Sequence, residues 1–179
     1  MAVHARLGMT SDHYTPVRYV DAARETMGGC IDLDPASSAI ANATVQATRF
    51  FTREDDGLTR PWGAAEQPVR VFLNPPYSDY RGQAADWADK LALEFECGHV
   101  AQAVMLVNAS TLYQAAFQQL VWRAALCFPN HRIRFIDAET GLPQDKPPQP
   151  SVFLYLGRSR DAFHRCFSPF GAVMMGYQA

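Results

Sequence analysis

The sequence predicts an α/β protein, a doubly wound, mostly parallel sheet of about seven strands with helices on both faces. Three observations predict it. Short, nearly continuous apolar runs recur at residues 69–73, 103–107 and 152–156, as in strands buried on both faces. Segments with apolar side chains at helical spacing alternate with them. The first run stops at Asn74-Pro75-Pro76-Tyr77, a rigid loop at a strand's carboxyl end, where open α/β sheets bind ligands.

Residues 1–10 show neither periodicity nor turn chemistry and are expected to be a flexible N-terminus, with residues 11–179 forming one domain. Thr15-Pro16 predicts a helix start, Thr15 as N-cap and Pro16 at the first position, with Val17, Val20, Ala23 and Met27 as its apolar stripe and Gly28-Gly29 as its stop. Residues 30–33 form a short strand whose exit loop, Asp34-Pro35-Ala36-Ser37-Ser38, feeds a helix held close to the sheet by Ala39, Ala41 and Ala43. Phe50 and Phe51 are a short apolar step before an acidic turn ending at Asp55-Asp56-Gly57. Ala84, Trp87, Ala88, Leu91 and Phe95 mark an amphipathic helix ended by Gly98, and Tyr113, Phe117, Leu120 and Val121 mark another after the strand at 103–107. Arg132-Ile133-Arg134-Phe135 alternates charged with apolar side chains, which predicts an edge strand carrying both arginines on one face. A proline-rich loop spans residues 137–150, and a strand at 152–156, a short helix at 162–166 and a last strand at 172–175 complete the chain.

The loop after the strand at 69–73 carries the chemistry. The Asn74 amide oxygen and the Pro75 carbonyl can both accept hydrogen bonds from a planar amino group, and the fixed φ of Pro75 and Pro76 limits drift of those acceptors. Tyr77 can stack on the ring that bears the amine. Of Asp32 and Asp34, one is expected to face the crevice, where a carboxylate accepts from a ribose diol or attracts a cation.

A formal net charge of −2 excludes a globally basic nucleic-acid protein. The total conceals an asymmetry, because residues 1–121 carry 9 Lys/Arg against 14 Asp/Glu while residues 122–179 carry 7 against 4. A phosphate-facing surface is therefore expected mainly in the rear third. Cys30, Cys97, Cys127 and Cys166 form no CxxC pair and His4, His13, His99, His131 and His164 show no ligand spacing, so no metal site is predicted. There is no apolar run of 18 residues and no charged-then-apolar leader, which predicts a cytoplasmic protein with no membrane partner. The sequence carries no signature of an oligomeric state.

The tetrad at 74–77 resembles the NPPY/DPPY signature of amino-methyltransferases, which methylate the exocyclic amine of adenine, of cytosine or of a glutamine side chain. The neighbouring segments narrow the resemblance. SDHYTP at 11–16, CIDLDPASS at 30–38, FFTREDDGL at 50–58 with Trp62, VMLVNAST at 104–111, HRIRF at 131–135 and PQPSVFLYLG at 148–157 are similar in order and spacing to the phage-type DNA N-6-adenine methyltransferase family. The likeness runs from Ser11 to Gly176 and implies a Rossmann-like methyltransferase fold, S-adenosylmethionine as cofactor (product S-adenosylhomocysteine), and DNA as partner. It further implies Asn74, Pro75, Pro76 and Tyr77 as catalytic residues. His13, Tyr14 and Thr15 match the segment that closes over the cofactor's methionine end, Asp32, Asp34 and Pro35 its diol or ammonium, Asp55 and Asp56 the turn against its adenine, with Asn74 shared. Ser78, Arg81, Arg132, Arg134 and Lys146 are the expected DNA contacts. The chain departs from the common pattern in lacking a GxG loop after a strand, so DLDPASS stands either for the cofactor loop or for the next acidic strand end. Alternatives are another acceptor (cytosine N4, RNA or a protein glutamine) or a catalytically silent copy that binds DNA or a partner.

Overall fold

The computed structural model describes residues 13–76, 84–137, 140–145 and 149–176. The chain runs β1 (His13–Tyr14), α1 (Val17–Thr26), β2 (Leu33–Asp34), α2 (Ala39–Val45), β3 (Arg49–Phe50), β4 (Val69–Leu73), α3 (Ala84–Glu96) and β5 (Val100–Asn108). A 3-10 turn (Ala109–Tyr113) leads to α4 (Ala115–Val121), β6 (Ala125–Pro129), β7 (Ile136–Asp137), β8 (Ser151–Leu156), α5 (Arg160–Phe167) and β9 (Gly171–Met175). Among the described residues, seven strands form one sheet in the order β3-β2-β4-β5-β8-β6-β9, while β1 and β7 pair separately as an antiparallel ribbon.

Both faces of the sheet are covered, and the strand period of two shows how. Val71, Leu73, Ala103, Met105, Val107, Leu154 and Leu156 point to the side of α3 and α4, where Trp87, Leu91, Phe117 and Leu120 meet them. Phe72, Val104, Leu106, Phe153 and Tyr155 point to the other side, against Tyr19, Val20 and Ala23 of α1 and Phe163 and Phe167 of α5. A strand buried on both sides needs apolar residues at every position, which is why these runs read as continuous rather than alternating.

The expected mostly parallel sheet needs correction. β3, β2, β4 and β5 pair in parallel, but β8 lies antiparallel to β5 and to β6, and β9 is antiparallel to β6. Parallel neighbours require a crossover, usually helical; among the described residues the return from β6 to β8 contains no helix, and β8 comes back against its neighbours. Where the parallel rule does hold, it creates the crevice. From β2 the chain moves outward to β3 and then returns to β4 on the opposite side of β2, so the strand order reverses between β2 and β4. Ligand crevices of open sheets lie at the carboxyl ends of such a pair.

Several local expectations also change. Pro16, not Thr15, occupies the N-cap of α1, no side chain caps that helix, and Val17 is exposed. Ala39 and Ala43 of α2 face outward and Val45 is the residue it buries. Tyr113 sits exposed in the 3-10 turn instead of on a helix stripe. Arg132-Ile133-Arg134-Phe135 is extended but pairs with no strand among the described residues: Ile133 and Phe135 are buried, both arginines are exposed, and the Phe135 carbonyl accepts from the Gln144 N–H at 2.8 Å. The sheet strand nearest in sequence is β6, which has no β-branched residue and so little local strand signal. Within the described part of the 137–150 segment, a turn at Gly141 (φ 66°) is closed by Asp137 N–H donating to Leu142 O at 2.9 Å.

Candidate active site

Asn74 leaves the end of β4, with Pro75 buried behind it and Pro76 half-buried. Its amide nitrogen donates to the His13 carbonyl at 2.8 Å and to the Thr15 hydroxyl at 3.2 Å. Those contacts fix which way the amide points, since turning it over would set its oxygen against the His13 carbonyl oxygen. Oδ1 is thereby left buried with no hydrogen-bond partner among the described residues. Buried acceptors are paired in the great majority of cases, which makes this acceptor, on a rigid loop at a switch point, a candidate site feature.

The end of β2 supplies the other half. Asp34 is buried, and removal from water pushes its carboxyl up to about 7. The Ala36 N–H, 3.2 Å from Oδ1, opposes that rise. The Ser37 hydroxyl opposes it too, as a hydrogen-bonding partner of the carboxyl whose contact falls short of ordinary geometry. Ser38 caps α2 by accepting from Ala41 N–H at 3.1 Å and meets the Tyr14 hydroxyl at 3.3 Å. The acidic turn closes against this loop: a Cβ on Gly57 would lie 2.0 Å from the Pro35 carbonyl oxygen, so only glycine permits the approach. Segments 13–15, 34–38, 52–57 and 74–76 therefore converge, as their order in the sequence does not reveal.

Two of the expected cofactor carboxylates are committed elsewhere. Asp32 makes paired hydrogen bonds to the Arg70 guanidinium at 2.8 and 2.9 Å and accepts from the Arg70 backbone N–H at 2.8 Å, and the Arg70 side chain holds its carboxyl below the usual range. Asp55 accepts from both the N–H and the hydroxyl of Thr52, at 2.8 and 2.9 Å, which shapes the turn and likewise lowers its carboxyl. Asp56 adopts φ 56° beside Gly57. Of the expected DNA contacts, Arg132 and Arg134 are exposed, and Arg134 donates to Gln144 O at 3.0 Å and approaches Asp145 at 3.4 Å. Tyr77, Ser78, Arg81 and Lys146 lie outside the described residues.

Sequence reasoning missed Gln144. Its side-chain nitrogen lies 2.8 Å from His13 Nδ1, and with the β1–β7 pairing (His13 opposite Asp137, Tyr14 opposite Ile136) it ties the 136–145 segment to the strip that holds Asn74. Nothing in a proline-rich loop signals that partner. Among the described residues no group of three or more His, Cys, Asp or Glu is placed to hold a metal, and no helix is long and apolar enough to cross a membrane.

The switch point of this α/β sheet thus presents a desolvated carboxyl from one strand and, among the described residues, an oriented, unpaired amide oxygen from the next, a candidate site for a polar ligand. No curated protein matches the chain. The family model for DNA N-6-adenine-methyltransferase (Dam) matches residues 9–168, and the chain belongs to that family. DNA is thus its substrate class and a methyl donor its co-substrate.

Proposed function

We propose that the chain is a single-domain, Rossmann-like methyltransferase that uses S-adenosylmethionine to methylate the exocyclic N6 amine of an adenine flipped out of DNA. The observation that carries this reading is the orphaned, oriented Oδ1 of Asn74. Adenine's exocyclic amine is a poor nucleophile because its lone pair is delocalised into the ring. Accepting one amine hydrogen at Asn74 Oδ1 and the other at the Pro75 carbonyl favours a pyramidal nitrogen and directs its lone pair outward. S-adenosylmethionine, when bound, supplies a methyl group on a sulfonium for in-line displacement, so no covalent enzyme intermediate is required.

The residues at the switch point fit that cofactor. Ser37 Oγ, a buried polar atom with no hydrogen bond of ordinary geometry among the described residues, and the desolvated carboxyl of Asp34 offer an acceptor and a potential negative charge for a diol or ammonium. His13, Tyr14, Pro35 and Asp56 complete the proposed contacts, while Asp32 and Asp55 support the loops that carry them. The position of β2 between β3 and β4 supports DLDPASS as the cofactor loop. Flipping a base costs a few kcal/mol, and stacking on Tyr77, worth about 1–3 kcal/mol, offsets much of it. Ser78, Arg81, Arg132, Arg134 and Lys146 are proposed to contact the phosphates. The test is calorimetry with S-adenosylmethionine, together with sequencing of modified bases in DNA from cells expressing the chain. N6-methyladenine at defined sites is the expected result; absence of both cofactor binding and base modification refutes the reading.

A further inference from the structure

We propose that Thr15 is a positioning residue for Asn74: its hydroxyl, with the His13 carbonyl, fixes the amide so that Oδ1 alone is presented to the amine. The inference rests on the acceptor role proposed above for Asn74. A threonine ahead of a proline at a helix start reads as a cap, yet this one caps nothing; α1 has Pro16 at its N-cap and no side-chain capping bond. Thr15 is instead 6% exposed, with its hydroxyl 3.2 Å from the Asn74 amide nitrogen. The two hydrogens of that nitrogen thus have two acceptors, His13 O and Thr15 Oγ1, which match its fork.

The strip that carries both acceptors is secured at several points. β1 pairs with β7, Gln144 bonds His13 Nδ1, the His13 ring packs on Phe135 at 5.4 Å, and Tyr14 reaches Ser38. Thr15 also suits the task as a β-branched residue with few χ1 choices. Serine keeps the hydroxyl with more freedom, and valine keeps the shape without it. Acting through Asn74, Thr15 affects the chemical step and not the cofactor's affinity.

The test is a double-mutant cycle on the full chain, read by single-turnover transfer of labelled methyl groups from S-adenosylmethionine to adenine-containing DNA. Thr15→Val is expected to slow transfer about tenfold at saturating cofactor, leaving cofactor Kd within about twofold, and Thr15→Ser to stay within about threefold of the parent. In an Asn74→Ala background, Thr15→Val is expected to cost less than about twofold more, because the group it positions is gone. Thr15→Ala replaces valine in the cycle, with the same expectations, if the valine variant does not fold. Parental transfer by the hydroxyl-free variant, an equal loss in both backgrounds, or a loss confined to cofactor affinity overturns the positioning role while leaving the acceptor reading intact. A parental rate for Asn74→Ala alone removes the acceptor reading and this inference together.

Discussion

Replacing Asn74 by alanine separates stability from chemistry in a way the geometry makes calculable. The amide donates two hydrogen bonds, at 2.8 Å to His13 O and 3.2 Å to Thr15 Oγ1. Each such bond contributes about 0.5–1.5 kcal/mol, so their loss destabilises the fold by roughly 1–3 kcal/mol. For a chain of 179 residues, each kcal/mol lowers Tm by about 2–4 °C. The variant therefore stays folded at 25 °C if the parent has ordinary stability. Methyl transfer should fall much further, by about 10²–10³, the usual consequence of removing one preorganised hydrogen-bonding partner of a transition state. Cofactor affinity should change little. The assay is single-turnover transfer of labelled methyl groups to adenine-containing DNA, with circular dichroism and calorimetry in parallel. A folded, cofactor-binding Asn74→Ala protein that transfers at the parental rate would show that the loop is only a strand terminator. Asn74→Asp sharpens the test, because its second oxygen would face the His13 carbonyl where the amide now donates. Partial activity that rises as pH falls, with protonation restoring the donor, is expected; activity that is flat or rises with pH contradicts the assigned orientation.

Asp34 should make stability pH-dependent: with its carboxyl raised from 3.8 to about 7, the folded chain holds the proton more tightly than the unfolded one. Its contribution is complete below pH 3.8 and is lost as pH rises through about 7, a change on the order of 4 kcal/mol that urea unfolding at several pH values should detect and Asp34→Asn should flatten. Asp34→Ala should also weaken S-adenosylmethionine binding by about 1.5–3 kcal/mol, whereas calorimetry within twofold of the parent would move that role to Asp56. Gly57→Ala should force the 52–57 turn off Pro35, because the new Cβ would fall 2.0 Å from a backbone oxygen; a variant with parental Tm and cofactor affinity would count against that packing. Replacing both Arg132 and Arg134 by alanine should weaken DNA binding and flatten its dependence on salt without changing cofactor affinity, and equal binding at every salt concentration would place the DNA face elsewhere.

Local regularities explain what could be read from the chain alone. Continuous apolar runs identify β4, β5 and β8 as strands buried on both faces; α3 follows from its helical spacing and the stop at Gly98 (φ 74°), and the acceptor loop follows from two prolines after a strand. Family membership was legible for the same reason, because ordered short segments survive as sequence. The alternation in Arg132-Ile133-Arg134-Phe135 correctly set both arginines on one face, opposite the apolar pair, but the expected edge strand did not follow, because alternation describes which way side chains point and not what the backbone pairs with. Strand partners, and hence the antiparallel insertion of β8, depended on how the chain returned from β6. The same limit governed the site. Asp32 found Arg70 38 residues away, Thr15 turned from its helix to Asn74 across 59, and Gln144 reached His13 across 131. A polar side chain's residue type states what it can donate or accept. Only the folded chain decides which partner stands within hydrogen-bonding distance, and therefore that Asp32 is tied up while the oxygen of Asn74 has no partner among the described residues.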